Sequence, residues 1–325
     1  MKLQVIGAGS WGLALARVLA LKGHDVLLWC REEDGPETLR TTRESPCFLP
    51  GVRLPDSVRV SREYDAGADI AVFAVPSHAM RAVAAEFPFG PDTIRVSVAK
   101  GIETESLMRM TEVIAAEHGP CPVTALSGPS HAEEVATDHP ASVVVAGESE
   151  DACKMVQDAF IAPRFRVYTS PDAVGVELGG ALKNVIAIAA GVCDGFQLGD
   201  SAKAALVTRG LAEMARLGEA MGAHPLTFSG LSGMGDLIVT CMSRYSRNRH
   251  VGEQIALGET VESIMSGSLM VAEGIRTAPG AYAMARKHGV DMPITEQVHF
   301  VLFEGVSPRD AVEELMEREA KPERG

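Results

Sequence analysis

The sequence predicts an α/β chain in which an N-terminal Rossmann-type doubly wound sheet is followed by a mainly α-helical C-terminal half. Three observations lead there. A short apolar run flows directly into Gly7-Ala8-Gly9-Ser10-Trp11-Gly12 and then into a helical pattern. Apolar runs of strand length then alternate with helical stretches as far as Val145. Past Ser170-Pro171-Asp172, a good helix start, strand signals largely stop. The expected division is residues 1–170, a dinucleotide-binding domain, and residues 171–325, an all-α substrate and catalytic domain.

Leu3 to Ile6 reads as the first strand, and the motif after it is G-x-G-x-x-G in the setting that gives it meaning, with a strand before and a helix after. Gly7 permits the tight turn, Gly9 lets backbone approach a pyrophosphate, and Gly12 allows the helix Leu13–Leu21 to pack closely. The N-terminus of that helix offers unpaired N–H groups to phosphates. The second strand, Asp25 to Trp29, ends where a carboxylate would ordinarily accept hydrogen bonds from the adenosine ribose of NAD, yet Arg31 stands there. An arginine suits a 2'-phosphate, which favours NADPH slightly over NADH, although Glu32 and Glu33 follow and could reach the ribose.

Further strands are expected at 59–60, 70–74, 94–98, 123–126 and 142–145, with helices at 79–86 and 107–117 among them. Polar punctuation follows three of the strands: Val75-Pro76-Ser77-His78, Ala99-Lys100-Gly101 and Ser127-Gly128-Pro129-Ser130. Open α/β sheets bind ligands along that edge, so Lys100 and Ser130 are substrate candidates. His78 and His131 occupy the same loops and rank below the lysines, because loop histidines are commonly incidental.

The centre of the chain is an apolar run from Asp172 to near Gly195, where Val174, Leu178, Leu182, Val185, Ile186, Ile188 and Ala189 leave almost no polar face. This predicts a buried helix carrying Gly179-Gly180-Ala181-Leu182-Lys183-Asn184. A helical side chain leans back over the preceding turn, so Lys183 should pass over two glycines and face a gap large enough for a ligand. A buried lysine loses part of its preference for charge and becomes a candidate proton acceptor near neutral pH. On the helix alone, a lysine that snorkels to solvent beside glycines serving close packing is equally compatible. Beyond it come a helix over 201–221, a Gly-rich turn over 230–236 containing Asp236, and Ser246-Arg247-Asn248. Asp236 could cap a helix or meet a ligand. The Ser-Arg-Asn triplet offers a planar guanidinium with flanking donors, a phosphate clamp or a solvated basic loop. Helices are expected at 260–265, 280–288 and 307–317, and a frayed charged tail from 319 onward.

Lys and Arg number 30 against 43 Asp and Glu, a net charge of −13, which argues against nucleic acid or anionic membrane as partners. An anionic ligand therefore needs a local cluster of cations. The six cysteines are scattered without zinc-like spacing, so no metal site is expected and reduced thiols in a cytoplasmic protein fit best. The first strand begins at Lys2, leaving no room for a signal peptide, and no apolar run reads as long and unbroken enough to span a membrane.

Taken together, the ordered motifs resemble one family, the bacterial-type NAD(P)-dependent glycerol-3-phosphate dehydrogenases. The resemblance runs through GAGSWG, VPSH at 75–78, AKG at 99–101, SGPSHAEE at 127–134, GVELGGALKNVIAIAAG at 175–191, TRGLAEMARLG at 208–218, GMGDLIVTC at 233–241, SRNRHVG at 246–252, VAEG at 271–274 and MPIT at 292–295. It implies reversible hydride transfer between a nicotinamide and dihydroxyacetone phosphate or sn-glycerol 3-phosphate, supplying glycerol 3-phosphate for phospholipid synthesis. It further implies Lys183 as the proton acceptor, and substrate contacts at Lys100, Gly128, Ser130, Lys183, Asp236, Ser246, Arg247 and Asn248. Cofactor contacts would fall at Ser10, Trp11, Arg31, Lys100, Ala132, Arg247, Val271 and Glu273, beside the motif glycines. His131 stands where an aromatic such as Phe is usual in the family. A homodimer is compatible with the reading. Two alternatives stay open: a related β-hydroxyacid or 6-phosphogluconate-type dehydrogenase, and an NADPH-binding sensor without turnover.

Overall fold

The structure is a computed structural model and describes residues 1–266, 272–320 and 322–323. Its first layer is an eight-stranded sheet formed by β1 (Lys2–Ile6), β2 (Asp25–Trp29), β3 (Arg59–Ser61), β4 (Ile70–Phe73), β5 (Ile94–Ser97), β6 (Val123–Ser127), β7 (Ala141–Ala146) and β8 (Phe165–Ser170). The spatial order is β3-β2-β1-β4-β5-β6-β7-β8, parallel throughout except for the antiparallel β6–β7 pair. Between them run α1 (Ser10–Leu21), α2 (Pro36–Thr42), α3 (Met80–Glu86), α4 (Met110–His118), α5 (Ala132–Ala136) and α6 (Glu150–Phe160). Because side chains alternate across a strand, β1 and β4 feed two cores at once. Leu3, Val5, Ile70 and Val72 pack with Leu13, Leu15 and Leu19 of α1, whereas Ile6, Ala71 and Phe73 pack with Met80, Ala84, Val113 and Ile114 of α3 and α4. The direction of strand order reverses between β1 and β4, which opens the crevice where such sheets take ligands.

Several elements escaped the sequence reading. The β8 strand buries Phe165 and Val167 while Arg166 and Tyr168 face out, an alternation too short to separate from loop. In α6 the Ser149 hydroxyl caps the Ala152 N–H at 3.2 Å, and Ala152, Cys153, Val156, Ala159 and Phe160 form its buried stripe. The helix expected from Leu107 starts only at Met110, because Leu107 has φ 62° and Arg109 first bridges to Ile102.

The second layer comprises α7 (Ala173–Gly195), α8 (Asp200–Ala220), α9 (Pro225–Phe228), α10 (Asp236–Met242), α11 (Arg247–Ala256), α12 (Val261–Ser266), α13 (Glu273–His288), α14 (Pro293–Phe303) and α15 (Pro308–Met316). Helix α7 is the axis around which the others pack. Its 23 residues are long and apolar enough to cross a membrane, a property the sequence reading denied to any run; 89% of its most apolar stretch is nevertheless buried within the protein. Leu178, Leu182, Val185, Ile186 and Ile188 are at most 1% exposed, and each such side chain contributes about 1.5–3 kcal/mol on burial. Asp172 starts the helix by accepting the Gly175 N–H at 2.9 Å, and its other oxygen takes the Thr227 hydroxyl at 2.6 Å. Helix α11 crosses α7 at backbone contact. A Cβ on Gly191 would lie 1.8 Å from the Arg249 carbonyl, and one on Gly252 would lie 1.8 Å from that of Ile188. Those two glycines let the start of α11 reach Asn184, the chain neighbour of Lys183.

Candidate active site

The loops after β5 and β6 meet α7 and α10 at one point. Lys183 and Lys100 converge there on the two oxygens of Asp236: the Lys183 ammonium donates to Oδ1 at 2.5 Å and the Lys100 ammonium to Oδ2 at 2.6 Å. Lys183 also donates to the Thr240 hydroxyl at 2.7 Å, which itself donates to the Asp236 carbonyl one turn back at 2.6 Å. Lys100 gives a further hydrogen bond to the Gly128 carbonyl at 3.0 Å, an oxygen that also receives the Ser130 hydroxyl at 3.0 Å. Lys183 is 6% exposed and Asp236 1%, which excludes a lysine that snorkels to solvent.

The space over the two glycines differs from the expected ligand gap. A Cβ on Gly179 would meet the Ser232 carbonyl at 2.5 Å, and one on Gly180 would meet the Ser127 hydroxyl at 2.6 Å and the Lys100 stem at 3.4 Å. The glycines therefore admit protein: the Gly-rich turn, a π-helical segment over Leu231–Gly235, and the Lys100 side chain. This is how Asp236 and Lys100 reach Lys183.

The triplet at 246–248 is the opening of a helix, a correction to its reading as a loop. The Ser246 hydroxyl caps α11 by accepting the Arg249 N–H at 3.2 Å. Asn248 is buried, donates to the Asn184 side-chain oxygen at 2.9 Å and accepts the Gly274 N–H at 2.8 Å. Asn184 in turn donates to the Lys100 carbonyl at 3.1 Å. Arg247, at the first position of α11, is exposed and makes no hydrogen bond or ion pair among the described residues. It is a cation at a helix N-terminus with its donors free for an anion. Thr240 and Asn184 are the polar groups the sequence reading did not assign; an Asp-x-x-x-Thr spacing on one helix face was the available signal for the first.

Burial lowers the Lys183 pKa, Asp236 raises it, and Lys100 lowers it again, leaving it at about 8. Burial by itself would push the Asp236 carboxyl up, but the two ammonium groups hold it below its usual range. The carboxylate thus stays charged, and Lys183 is a group that can both give and take a proton near neutrality.

Across the sheet edge lies the glycine loop. Gly7 has φ 111°, and a Cβ there would strike the Ala74 carbonyl at 2.5 Å. A Cβ on Gly12 would lie 1.9 Å from the Gly7 carbonyl, whereas one on Gly9 would meet nothing within 4 Å. Gly9 is also the cap residue of α1 and supplies no side chain to its first turn, where Ser10, Trp11 and Gly12 present their backbone. Open space before an uncapped helix N-terminus fits a pyrophosphate. The Trp11 indole N–H is buried without a partner among the described residues. Arg31, at the end of β2, pairs with Asp34 at 2.9 Å and Glu33 at 3.0 Å, so a 2'-phosphate there competes with two carboxylates. Glu32 pairs with Arg62 at 2.8 Å. Ala132 begins α5 beside the β6 loop. Glu273 receives the Ser77 N–H at 3.1 Å and its hydroxyl at 2.5 Å, joining α13 to the loop after β4. Val271 lies outside the described residues. Among the described residues, no group of His, Cys, Asp and Glu could hold a metal ion, and the six cysteines are free.

Comparison with known proteins matches residues 2–153 to the N-terminal and residues 172–313 to the C-terminal family model of NAD-dependent glycerol-3-phosphate dehydrogenase. A glycerol-3-phosphate dehydrogenase [NAD(P)+] of Pelotomaculum thermopropionicum is 52% identical over 325 residues, covering 98% of this chain and 93% of that protein. One of Salinibacter ruber is 52% identical over 327 residues, covering 98% and 95%. The crystal structure of glycerol-3-phosphate dehydrogenase from Coxiella burnetii superposes with a TM-score of 0.93 at 37% identity, covering 98% of this chain and 99% of that one.

Proposed function

We propose the following reaction for this chain, which belongs to the NAD-dependent glycerol-3-phosphate dehydrogenase family: reversible, NAD(P)-dependent interconversion of dihydroxyacetone phosphate and sn-glycerol 3-phosphate. The observation that carries it is the convergence of Lys183 and Lys100 on Asp236 at the sheet edge that also bears the glycine loop. The nicotinamide, when bound, supplies or accepts the hydride at C2. In reduction, Lys183 gives its proton to the C2 oxygen; in oxidation, it takes the C2 hydroxyl proton. Asp236 and Thr240 hold the Lys183 ammonium in place, and the Asn184–Asn248 pair fixes the two helices that carry Lys183 and Arg247. Arg247, with Ser246 and Asn248 beside it, is the phosphate anchor, and Lys100, Gly128 and Ser130 wall the substrate on the sheet side. The cofactor would be held by Gly7, Gly9, Ser10, Trp11 and Gly12, with Ala132 and Glu273, where the uncapped start of α1 leaves open space. Division of labour between residues 1–170 and 171–325, a cytoplasmic location, a homodimer and supply of glycerol 3-phosphate to phospholipid synthesis belong to the same reading. NADPH or NADH oxidation measured with dihydroxyacetone phosphate, side by side, tests it; no oxidation with either cofactor overturns it.

The direction of the Lys183 shift sets a pH dependence. The ammonium is the stable form below about 8, so ketone reduction, which needs the proton, should hold steady on the acid side and decline as pH rises through that value. Oxidation of glycerol 3-phosphate needs the free amine and should rise across the same interval. Turnover profiles in the two directions check this, and parallel profiles would show that another group titrates.

Cofactor choice rests on Arg31. Arg31→Ala should raise the KM for NADPH more than that for NADH, by a margin reduced by the existing pairs to Glu33 and Asp34. Equal effects on both would show that Arg31 does not read the 2'-phosphate.

A further inference from the structure

We propose that His131 is a specificity-determining residue whose Nε2 hydrogen-bonds the C1 hydroxyl of the three-carbon substrate; the proposal rests on the reaction assigned above. His131 stands at the cap of α5, directly after Ser130, with extended backbone at φ −77° and ψ 135°. Its ring packs on that of Tyr245 with centroids 5.8 Å apart, and Tyr245 immediately precedes Ser246 and Arg247. The imidazole therefore lies between the β6 loop and the segment that enters α11. Its Nε2 is buried and has no hydrogen-bond partner among the described residues. Buried polar atoms nearly always have one, and a site group is an exception when its partner is the ligand.

The Tyr245 ring packs on the imidazole, and the charges that act on it are those of Lys183, Glu134, Glu133 and Lys100. Burial, then the lysines, hold the imidazole pKa below its usual value against the two glutamates, so the ring is neutral at neutral pH. A neutral imidazole donates one hydrogen bond and accepts one. Nε2 can therefore bond a hydroxyl in either tautomer, as donor or as acceptor, whereas towards a phosphate dianion it can bond only as the N–H tautomer. With the C2 oxygen at Lys183 and the phosphate at Arg247, the C1 hydroxyl is the substrate group left to the β6 side of the site, where His131 follows Gly128 and Ser130.

The experiment compares dihydroxyacetone phosphate with hydroxyacetone phosphate, the analogue with a methyl group at C1. The wild-type protein should favour the hydroxylated ketone in kcat/KM by roughly 10-fold or more, the scale of leaving a buried site group unpaired. His131→Phe keeps an aromatic ring against Tyr245; it should lower kcat/KM for dihydroxyacetone phosphate by roughly 5- to 10-fold and leave the analogue unchanged. His131→Gln, which again offers a donor, should recover part of the preference. A wild-type-like preference in His131→Phe, or equal losses for both ketones, would overturn the proposal and leave Nε2 to an ordered water only. Failure of the underlying reaction would look different, because the wild-type protein would then reduce neither ketone.

Discussion

Lys183→Met should fold, bind cofactor and lose turnover by at least ~100-fold, the scale expected when an acid–base group is removed. Methionine nearly matches the length of the lysine stem, so the packing of α7 against α10 and α13 is largely kept. Removing the ammonium leaves Asp236 with Lys100 alone, at 2.6 Å, which still pairs the buried carboxylate. That remaining ion pair is why the substitution is expected to be survivable; breaking a buried pair completely costs about 3–5 kcal/mol. Circular dichroism and cofactor titration report fold and binding, and steady-state turnover reports chemistry. Near wild-type turnover in a folded variant would remove Lys183 from the mechanism.

The second large effect is expected at Arg247. The chain carries a net charge of −13, so a phosphorylated substrate meets general repulsion and needs a local cation. Arg247 is exposed at the start of α11 and free of internal partners among the described residues. A charge-assisted, bidentate contact contributes about 1.5–3 kcal/mol, or roughly 10- to 150-fold in binding. Arg247→Leu should therefore lower kcat/KM for dihydroxyacetone phosphate by that factor and barely touch the poor reduction of unphosphorylated dihydroxyacetone. Its charge also acts on Glu273, so cofactor affinity is measured separately, without substrate. Equal losses with both ketones at saturating cofactor would mean that Lys100 or another group anchors the phosphate.

What could be read from the chain was what is local in it. The glycine loop announces itself because a strand, three spaced glycines and a helix are consecutive, and each glycine answers a backbone requirement within a few residues: Gly7 its φ of 111°, Gly12 its contact with the Gly7 carbonyl. Lys183 was visible because a cation in an apolar helix conflicts with its surroundings, and such conflicts mark function. The short strand β8 and helix α6 were missed because their patterns are brief and polar enough to pass for loop. Nothing local told that Gly179 and Gly180 admit the Ser232 carbonyl and the Lys100 stem, or that Gly191 and Gly252 let two helices cross at backbone contact. Those meetings join positions far apart in the chain, and only packing, which needs every element placed at once, decides them. The shared carboxylate of Asp236 depends on this most. By its own sequence neighbours it could have been a helix cap, and it becomes the partner of two lysines because the β5 loop, α7 and the turn before α10 close on one point, where burial makes unpaired charge too costly to leave.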